Sequence, residues 1–542
     1  MGRGRLTTSR PNIASDPTLS NPTIGNYPLR SSTEIVTMLV MNWRTLFAVL
    51  SLASVAMAAS PTCSSLADLF ITNTTITSAD EVPAGTYNPS GAPSPLKVPA
   101  FCRVRAVSRP VSDSEIHIEF WLPLRANWNE KFEGTGNGGF SSAMSFSTMA
   151  AALNQGYATA GSDTGHEGGD LRFGVGHPEK INDWAYRAVH VMTDISKLII
   201  RNYYGRMPQY SYFNGCSTGG HQALSEAQRF PGDYDGIVAG DPGNNRTHLI
   251  AGFLWSWEAI HKDAEQPLPA AKLPMITKAA MAACDAIDGL ADGIIDDPRR
   301  CKFDPGELLC KGGNGDNCLT APQVESVRKV YSGAKNPRTG ERIFAGWPRG
   351  TETSWTSYFV EPAEARRNEF WRLWVFNDPN WDWRTFDFDR DMAYADAKMA
   401  VVNSNDTDLK PFKARKGKLV MYHGWADSDV PPEDGVKYYE AVERAMGGPT
   451  QTTDFFRLFM VPGMGHCGGG PGPNTFDAVG TLGEWVEHGK PPERIVASHI
   501  ASGVTDRTRP LCPYPQIAKW KGSGSIDEAA NFACVDPSRS PQ

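Results

Sequence analysis

The residues of this chain that are best suited to chemistry are a serine and a histidine, each next to a cysteine. Ser217 lies in a Gly-x-Ser-x-Gly run directly after Cys216, and His466 lies in a glycine-rich loop directly before Cys467. A serine hydroxyl is a poor nucleophile until a base takes its proton. If the serine meets the histidine, the two cysteines meet as well, and one disulfide would hold the nucleophile beside its base. The pattern therefore predicts nucleophilic attack on a carbonyl carbon.

A carboxylate is needed to orient the histidine and to stabilise its charged form. Asp427 follows a predicted strand, and Asp429 is a second candidate. The chain order of serine, aspartate and histidine is that of α/β hydrolases. The alternatives are a solvent-facing aspartate and a loop histidine held by backbone hydrogen bonds. We expect Ser217, Asp427 and His466 to form a catalytic triad.

The oxyanion produced by such an attack needs N–H donors. One donor is expected at Thr218, directly after the nucleophile, and another in the early glycine-rich loop at Gly138 and Gly139. Glycines allow backbone amides to approach closely, although a plain turn would contain the same residues.

The elements around these residues alternate between strand and helix. The nucleophile lies between a strand and a helix, and a longer helix is predicted upstream, with Asp183 as its N-cap and Gly205 just past its end. This alternation predicts an α/β fold with a mainly parallel sheet and helices on both faces. The predicted strands are 114–123, 157–160, 210–213, 236–240, 418–422 and 455–461, and the predicted helices are 183–205 and 222–230.

The alternation of strand and helix stops near residue 244 and resumes near residue 415. The intervening segment holds a Cys- and Asp-rich loop and eight of the fifteen tryptophans. We interpret residues 244–414 as an inserted lid domain, here called the insertion. The hydrolase core would then consist of residues 59–243 and 415–542.

The N-terminus predicts export. Residues 41–58 combine a basic start, an apolar run and an Ala-Met-Ala end, as in a signal peptide cut after Ala58. A short buried helix is the alternative. Residues 1–40 are polar, and we interpret them as a disordered or over-predicted extension, with translation starting at Met38 or Met41. The formal charge of −7 and the lack of a basic run argue against a nucleic-acid partner.

All ten cysteines follow the predicted signal peptide, and an even number in an exported chain indicates disulfides. Connectivity does not follow from sequence alone. Local pairing nevertheless suggests 63 with 102, 284 with 301, 310 with 318 and 512 with 534, which leaves 216 and 467.

An acidic loop at 284–296 suggests a cation site. Asp285, Asp288 and Asp292 alternate with turn glycines, and calcium accepts such carboxylates together with backbone carbonyls. The spacing is not that of an EF-hand, and a solvated acidic loop is the alternative.

From about Cys63 to Cys534 the chain resembles the tannase and feruloyl esterase family of serine hydrolases, which includes mono(2-hydroxyethyl) terephthalate hydrolase. The resemblance rests on a CS-D-HC pattern, which corresponds here to Cys216-Ser217, Asp427 and His466-Cys467. It implies an α/β-hydrolase core, a lid inserted between serine and aspartate, and a Cys216–Cys467 disulfide.

The resemblance also implies a structural calcium ion and an oxyanion hole. Its calcium ligands would be the side chains of Asp285, Asp288 and Asp292 and the carbonyls of Leu290 and Ile294. The oxyanion donors would be the amides of Gly139 and Thr218.

We therefore expect a secreted or periplasmic carboxylic ester hydrolase whose partner is a small aromatic ester, such as a ferulate. Gallate esters and terephthalate monoesters are alternative substrates. A calcium-stabilised binding protein without turnover and a peptidase are alternatives of other kinds. Tryptophans of the insertion would provide flat walls for the aromatic acid, unless they form the insertion's own core.

Overall fold

A nine-stranded sheet is the central element of a computed structural model that describes residues 61–261 and 267–537. The predicted signal peptide and the N-terminal extension lie outside these residues. The strand order is β1-β4-β5-β7-β6-β8-β9-β10-β11. The strands are β1 (Thr74–Val82), β2 (Gly85–Tyr87), β3 (Leu96–Val98), β4 (Phe101–Ser108), β5 (Ile116–Pro123), β6 (Lys131–Thr135), β7 (Ala158–Ser162), β8 (Tyr210–Cys216), β9 (Gly236–Gly240), β10 (Lys418–Gly424), β11 (Phe456–Val461), β12 (Ile495–Ala501), β13 (Val504–Leu511), β14 (Ile517–Trp520) and β15 (Phe532–Val535).

Twelve α-helices are formed by the described residues. They are α1 (Phe146–Asn154), α2 (Pro178–Asn182), α3 (Ala188–Tyr204), α4 (Thr218–Arg229), α5 (Arg246–His261), α6 (Leu273–Cys284), α7 (Ala321–Ser332), α8 (Arg390–Lys398), α9 (Lys410–Ala414), α10 (Pro432–Met446), α11 (Pro449–Thr453) and α12 (Ala478–His488). Among these residues no helix is long and apolar enough to cross a membrane.

The sheet is parallel from β7 to β11, and β1, β4 and β5 add an antiparallel edge. Every residue of β9 is buried, as expected for a parallel strand covered on both faces. The fold is therefore the predicted α/β class. Because β8, β9, β10 and β11 run in one direction, the loops after them meet at one edge of the sheet. The chain places Ser217, Asp241, Asp427 and His466 in those loops.

The start of the predicted 183–205 helix is different in the structure. The helical run begins upstream at Pro178, and Asp183 opens a wide turn that continues into α3. The Asp183 carboxylate accepts a hydrogen bond from Arg187 at 2.5 Å, so it does not cap the helix. Gly205 ends α3 with φ 81°, as predicted.

The insertion contributes no strand to the central sheet in its described residues. Its tryptophans pack mainly with one another and with phenylalanines in one apolar cluster, where Trp347, Trp355 and Trp371 are nearly inaccessible. The boundaries at 244 and 414 remain a prediction.

Five disulfides join all ten cysteines. They have the pairing suggested by the sequence: 63 with 102, 216 with 467, 284 with 301, 310 with 318 and 512 with 534. The Cys216–Cys467 bond closes the longest separation, 251 residues, and connects the end of β8 to the loop after β11.

Candidate active site

Ser217 lies on the sharp turn between β8 and α4. Its φ of 65° and ψ of −117° are rare for a residue with a side chain, as expected for a strained nucleophile turn. Its N–H donates to the Gly240 carbonyl at 2.9 Å. A Cβ at Gly215 would lie 2.5 Å from the Gly219 backbone, so the turn requires glycine there.

His466 is oriented by Asp427. The histidine Nδ1 lies 2.8 Å from Asp427 Oδ2. Asp427 is fully buried, and its Oδ1 accepts the N–H groups of Asp429 and Val430 at 2.7 and 2.8 Å. These two hydrogen bonds hold the carboxylate in place. Because Nδ1 is engaged by Asp427, Nε2 is the ring nitrogen available to a substrate or nucleophile.

Ser217 and His466 line the same cavity, whose volume is about 610 Å³. Their neighbours Cys216 and Cys467 are joined by the disulfide. His466 Nε2 is buried without a hydrogen-bond partner among the described residues, so the serine–histidine bond is not formed here. Such bonds are often long before substrate binds and tighten in the substrate complex.

Asp429, the second candidate acid, has a different position. Its Oδ2 lies 3.7 Å from His466 Nε2, and its Oδ1 lies 2.7 Å from Arg366 Nη1. It therefore lies on the Nε2 side of the imidazole ring and is paired with an arginine of the insertion.

Charges around the histidine shift two pKa values in opposite directions. Burial would lower the pKa of His466, but the charges of Asp427, Asp241 and Asp429 raise it to about 9. Burial would raise the pKa of Asp427, but His466 and His423 hold it well below its usual range. The site thus favours a charged imidazolium beside a carboxylate, as required after the histidine has accepted a proton.

The predicted oxyanion residues are adjacent and linked. Thr218 is the first residue of α4, so its N–H has no acceptor within the helix. Its hydroxyl donates to the Gly139 carbonyl at 2.8 Å. Gly139 has φ 55°, and a Cβ there would lie 2.8 Å from Arg367 Nη2. Gly139 lines the cavity beside Ser217, and Thr218 directly follows Ser217 and is bonded to Gly139.

Three arginines contribute to the cavity, and sequence reasoning missed all of them. Arg246 is buried, donates to Thr218 Oγ1 at 3.0 Å, and has its pKa lowered to about 9 by burial and by Arg367. Arg366 pairs with Asp429, whereas Arg246 and Arg367 have no ion-pair partner among the described residues. Asp429 is the only carboxylate among the described residues that line the cavity, so the three arginines give this lining a net positive charge.

The apolar wall of the cavity does not come from the tryptophans. Phe140, Leu249, Ile250 and Phe253 line it, and none of the tryptophans of the insertion does. The tryptophans instead form the core of the insertion, which was the alternative interpretation. The wall residues lie on α5 and on the loop after β6, and no local sequence signal distinguished them.

Two further buried residues lie beside the triad. Asp241 follows β9, and His423 belongs to β10. His423 Nε2 lies 3.3 Å from Asp427 Oδ2 and 3.8 Å from Asp241 Oδ1. The available signal for Asp241 was a carboxylate directly after a buried parallel strand, where the loops of the sheet edge converge.

Some carboxylate oxygens of the acidic loop already accept hydrogen bonds from the protein. Asp285 Oδ1 accepts N–H groups of Asp292, Gly293 and Ile294 at 3.0–3.2 Å, and Asp292 Oδ2 accepts Arg509 Nη2 at 2.8 Å. No three oxygen atoms, one each from Asp285, Asp288 and Asp292, all lie within 4.8 Å of one another.

Two carboxyl groups of this loop, those of Asp288 and Asp296, lie close to other carboxylates and form no ion pair among the described residues. Asp296 Oδ2 is buried without a hydrogen-bond partner, and burial together with Asp288 raises its pKa to about 7. Burial and Asp292 raise the pKa of Asp288. A cation would relieve this crowding, and carboxylate oxygens are the donors that a hard divalent ion such as calcium binds.

Comparisons with known proteins give concordant results. A family model described as "Tannase and feruloyl esterase" matches residues 102–535. The chain is 42% identical to an uncharacterised esterase of Xanthomonas campestris pv. campestris, over 92% of this chain and 95% of that protein. It is 34% identical to the mono(2-hydroxyethyl) terephthalate hydrolase of Piscinibacter sakaiensis, over 78% and 82% of the two chains. The crystal structure of feruloyl esterase B from Aspergillus oryzae superimposes with a TM-score of 0.83 at 30% identity, covering 87% of this chain and 99% of the other.

Proposed function

Because the chain belongs to the tannase and feruloyl esterase family and is a carboxylic ester hydrolase, we propose that it cleaves esters of hydroxycinnamic acids through an acyl-enzyme. The observation that carries the mechanism is the Cys216–Cys467 disulfide. It joins the neighbours of Ser217 and His466, whose side chains border one cavity.

In the first half of the reaction Ser217 Oγ attacks the ester carbonyl carbon, and His466 Nε2 takes the hydroxyl proton. Asp427 holds the other ring nitrogen and stabilises the imidazolium. The amides of Thr218 and Gly139 donate to the oxyanion. The tetrahedral intermediate then breaks, and the alcohol leaves with the proton from His466.

In the second half a water molecule replaces the alcohol. His466 takes a proton from the water as it attacks the acyl carbon, and the acid is released when Ser217 recovers the proton. The apolar wall formed by Phe140, Leu249 and Phe253 suits a flat aromatic acyl group. The apolar wall is therefore an argument for a substrate whose acid part is aromatic rather than aliphatic and charged.

A rate panel tests the substrate assignment. The purified enzyme is given methyl ferulate, methyl gallate and mono(2-hydroxyethyl) terephthalate, together with ferulic acid methylamide as the amide control. We expect the highest kcat/KM for methyl ferulate and no measurable amide cleavage. Faster cleavage of the gallate ester would contradict the hydroxycinnamate assignment.

The arginines favour one second candidate, hydrolysis of a terephthalate monoester. That acid carries a free carboxylate, and Arg246 and Arg367 are cavity cations without an ion-pair partner among the described residues. A guanidinium binds a carboxylate through two parallel hydrogen bonds. Under this alternative the terephthalate monoester is the fastest substrate of the panel.

The acidic loop is proposed to hold a structural calcium ion. The ligands would be the side chains of Asp285, Asp288 and Asp292 and the carbonyls of Leu290 and Ile294. The crowded carboxyl groups of Asp288 and Asp296 support this proposal. We expect chelation to lower Tm and added calcium to restore it, and Asp288→Asn to abolish the response. An unchanged Tm after chelation, together with no calcium in the purified protein, would contradict it.

Export is proposed on two grounds. The signal-peptide pattern at 41–58 lies outside the described residues, whereas the five disulfides are within them. Disulfides of this number are typical of oxidising compartments. N-terminal sequencing of the mature protein tests the predicted cleavage after Ala58.

A further inference from the structure

Asp241 occupies the point where three segments of the candidate site meet. It directly follows β9, its side chain is completely buried, and its φ of 37° is uncommon for a residue other than glycine. Its own N–H donates to the Tyr422 carbonyl of β10 at 2.9 Å. The backbone of Asp241 is therefore held in an uncommon conformation by a hydrogen bond to the neighbouring strand.

The two carboxylate oxygens bind two different segments. Oδ1 accepts the Gly424 N–H at 2.8 Å, at the end of β10 and at the start of the loop that carries Asp427. Oδ2 accepts the Cys467 N–H at 3.2 Å, directly after His466, and lies 3.4 Å from Cys216 Sγ. One side chain thus links β9, the acid loop, the histidine loop and the disulfide.

This pair of contacts requires an acceptor at both oxygens. A carboxylate has only acceptor sites, and both partners are N–H donors. In an asparagine one oxygen is replaced by NH₂, which would face an N–H donor and leave a buried amide unsatisfied.

We propose that Asp241 is a positioning residue for ester hydrolysis, which holds the His466 loop and the Asp427 loop at their working separation. This inference rests on the proposed function, because it assigns to Asp241 the placement of that catalytic pair. Asp241 lines no part of the cavity and touches no reacting atom.

The charge of Asp241 adds a second, electrostatic effect. It faces His423 and Asp427 on the side of β10 and His466 on the loop after β11, while the Asp429–Arg366 pair lies beyond the histidine. Burial raises the pKa of Asp241 to about 7, with His423 opposing and Asp427 adding to the rise. Once ionised, Asp241 helps to raise the pKa of His466. Neutralising it should therefore lower the pH at which His466 becomes a base.

Two substitutions separate placement from charge. Asp241→Asn removes the charge and one acceptor, and we expect kcat to fall about 10- to 100-fold with KM nearly unchanged, because misplacement of a catalytic group has this cost. The rising limb of the kcat/KM profile should move to lower pH. Asp241→Glu keeps the charge but displaces it, so kcat should fall while the limb remains at its wild-type pH.

Asp163→Asn is the matched control. Asp163 is also a buried carboxylate that accepts two backbone N–H groups, those of His117 and Gly165, and it does not line the cavity. Its substitution measures the general cost of neutralising a buried carboxyl group. We expect it to affect Tm without changing kcat or the pH profile.

All rates are expressed per active site, counted by phosphonate titration, so that unfolded protein does not contribute. Wild-type kcat and an unmoved limb in Asp241→Asn, with Ser217→Ala inactive, would overturn the inference and leave the proposed function intact. If neither Asp241 variant yields folded protein while Asp163→Asn does, Asp241 is required for folding alone, and this result would also overturn the positioning role. Full turnover by Ser217→Ala would instead refute the proposed function.

Discussion

The hydroxyl of Thr218 donates a hydrogen bond to the carbonyl of Gly139 at 2.8 Å. The two residues proposed to hold the oxyanion are therefore joined by a side chain, although only their backbone amides are proposed to bind it. Arg246 donates to the same hydroxyl at 3.0 Å, which fixes its orientation.

Thr218→Val tests this link, because it keeps the shape of the side chain and removes the hydroxyl. We expect kcat to fall about tenfold, less than the loss caused by deleting an oxyanion donor. Thr218→Ser keeps the hydroxyl and should retain most of the activity. Equal rates for the valine and serine variants would show that the link has no effect on catalysis.

Catalysis should depend on pH through His466. Its pKa is raised to about 9, and only the neutral imidazole accepts the serine proton, so kcat/KM should rise with pH up to that range. Asp429→Asn removes one of the negative charges that raise this pKa and leaves the Arg366 charge unpaired. The rising limb should then move to lower pH. A profile that is flat from pH 6 to 9, or one that moves to higher pH in the variant, would contradict this assignment.

The disulfide at the site should stabilise the fold more than a local one. In the chain-entropy model the Cys216–Cys467 bond, with a separation of 251 residues, contributes roughly 5 kcal/mol. The Cys310–Cys318 bond, with a separation of 8, contributes roughly 2 to 3 kcal/mol and serves as the control. Replacing each pair by alanines should lower Tm in both variants, more in the first, and only the first should lose activity. An active enzyme without the Cys216–Cys467 bond would show that the disulfide does not position the catalytic groups.

Arg367 should discriminate among acids by their charge. It has no ion-pair partner among the described residues, and its guanidinium lies 5.2 Å from the centre of the Phe140 ring. Arg367→Gln should reduce kcat/KM for mono(2-hydroxyethyl) terephthalate about tenfold or more and affect methyl ferulate less, because only the former carries a carboxylate. An equal loss of kcat/KM for both esters would indicate that Arg367 shapes the cavity but does not bind the substrate carboxylate.

The sheet and the reactive turn were predictable because their signals are local. Short apolar runs predicted β9 and β10. Gly215 and Gly219 predicted the sharp turn at Ser217, where a Cβ at Gly215 would lie 2.5 Å from the backbone of Gly219. The five disulfides have the pairing that proximity in the chain and elimination had suggested, although the sequence alone could not establish it.

The rest of the site depends on contacts that are distant in sequence. Arg366 and Arg367 reach the cavity only because the insertion folds over the sheet edge, and no pattern around them indicates this. The tryptophans were visible in the sequence, but burial in their own cluster prevents them from facing the cavity. Asp183 met the criteria for an N-cap and was overridden by the upstream start at Pro178 and by its pairing with Arg187.

Labelling with a fluorescent phosphonate, followed by peptide mass spectrometry, identifies the nucleophile itself. We expect one labelled residue, Ser217, and loss of both labelling and ester turnover in Ser217→Ala. Label on another residue, or a Ser217→Ala variant that hydrolyses methyl ferulate at the wild-type rate, would show that Ser217 is not the nucleophile.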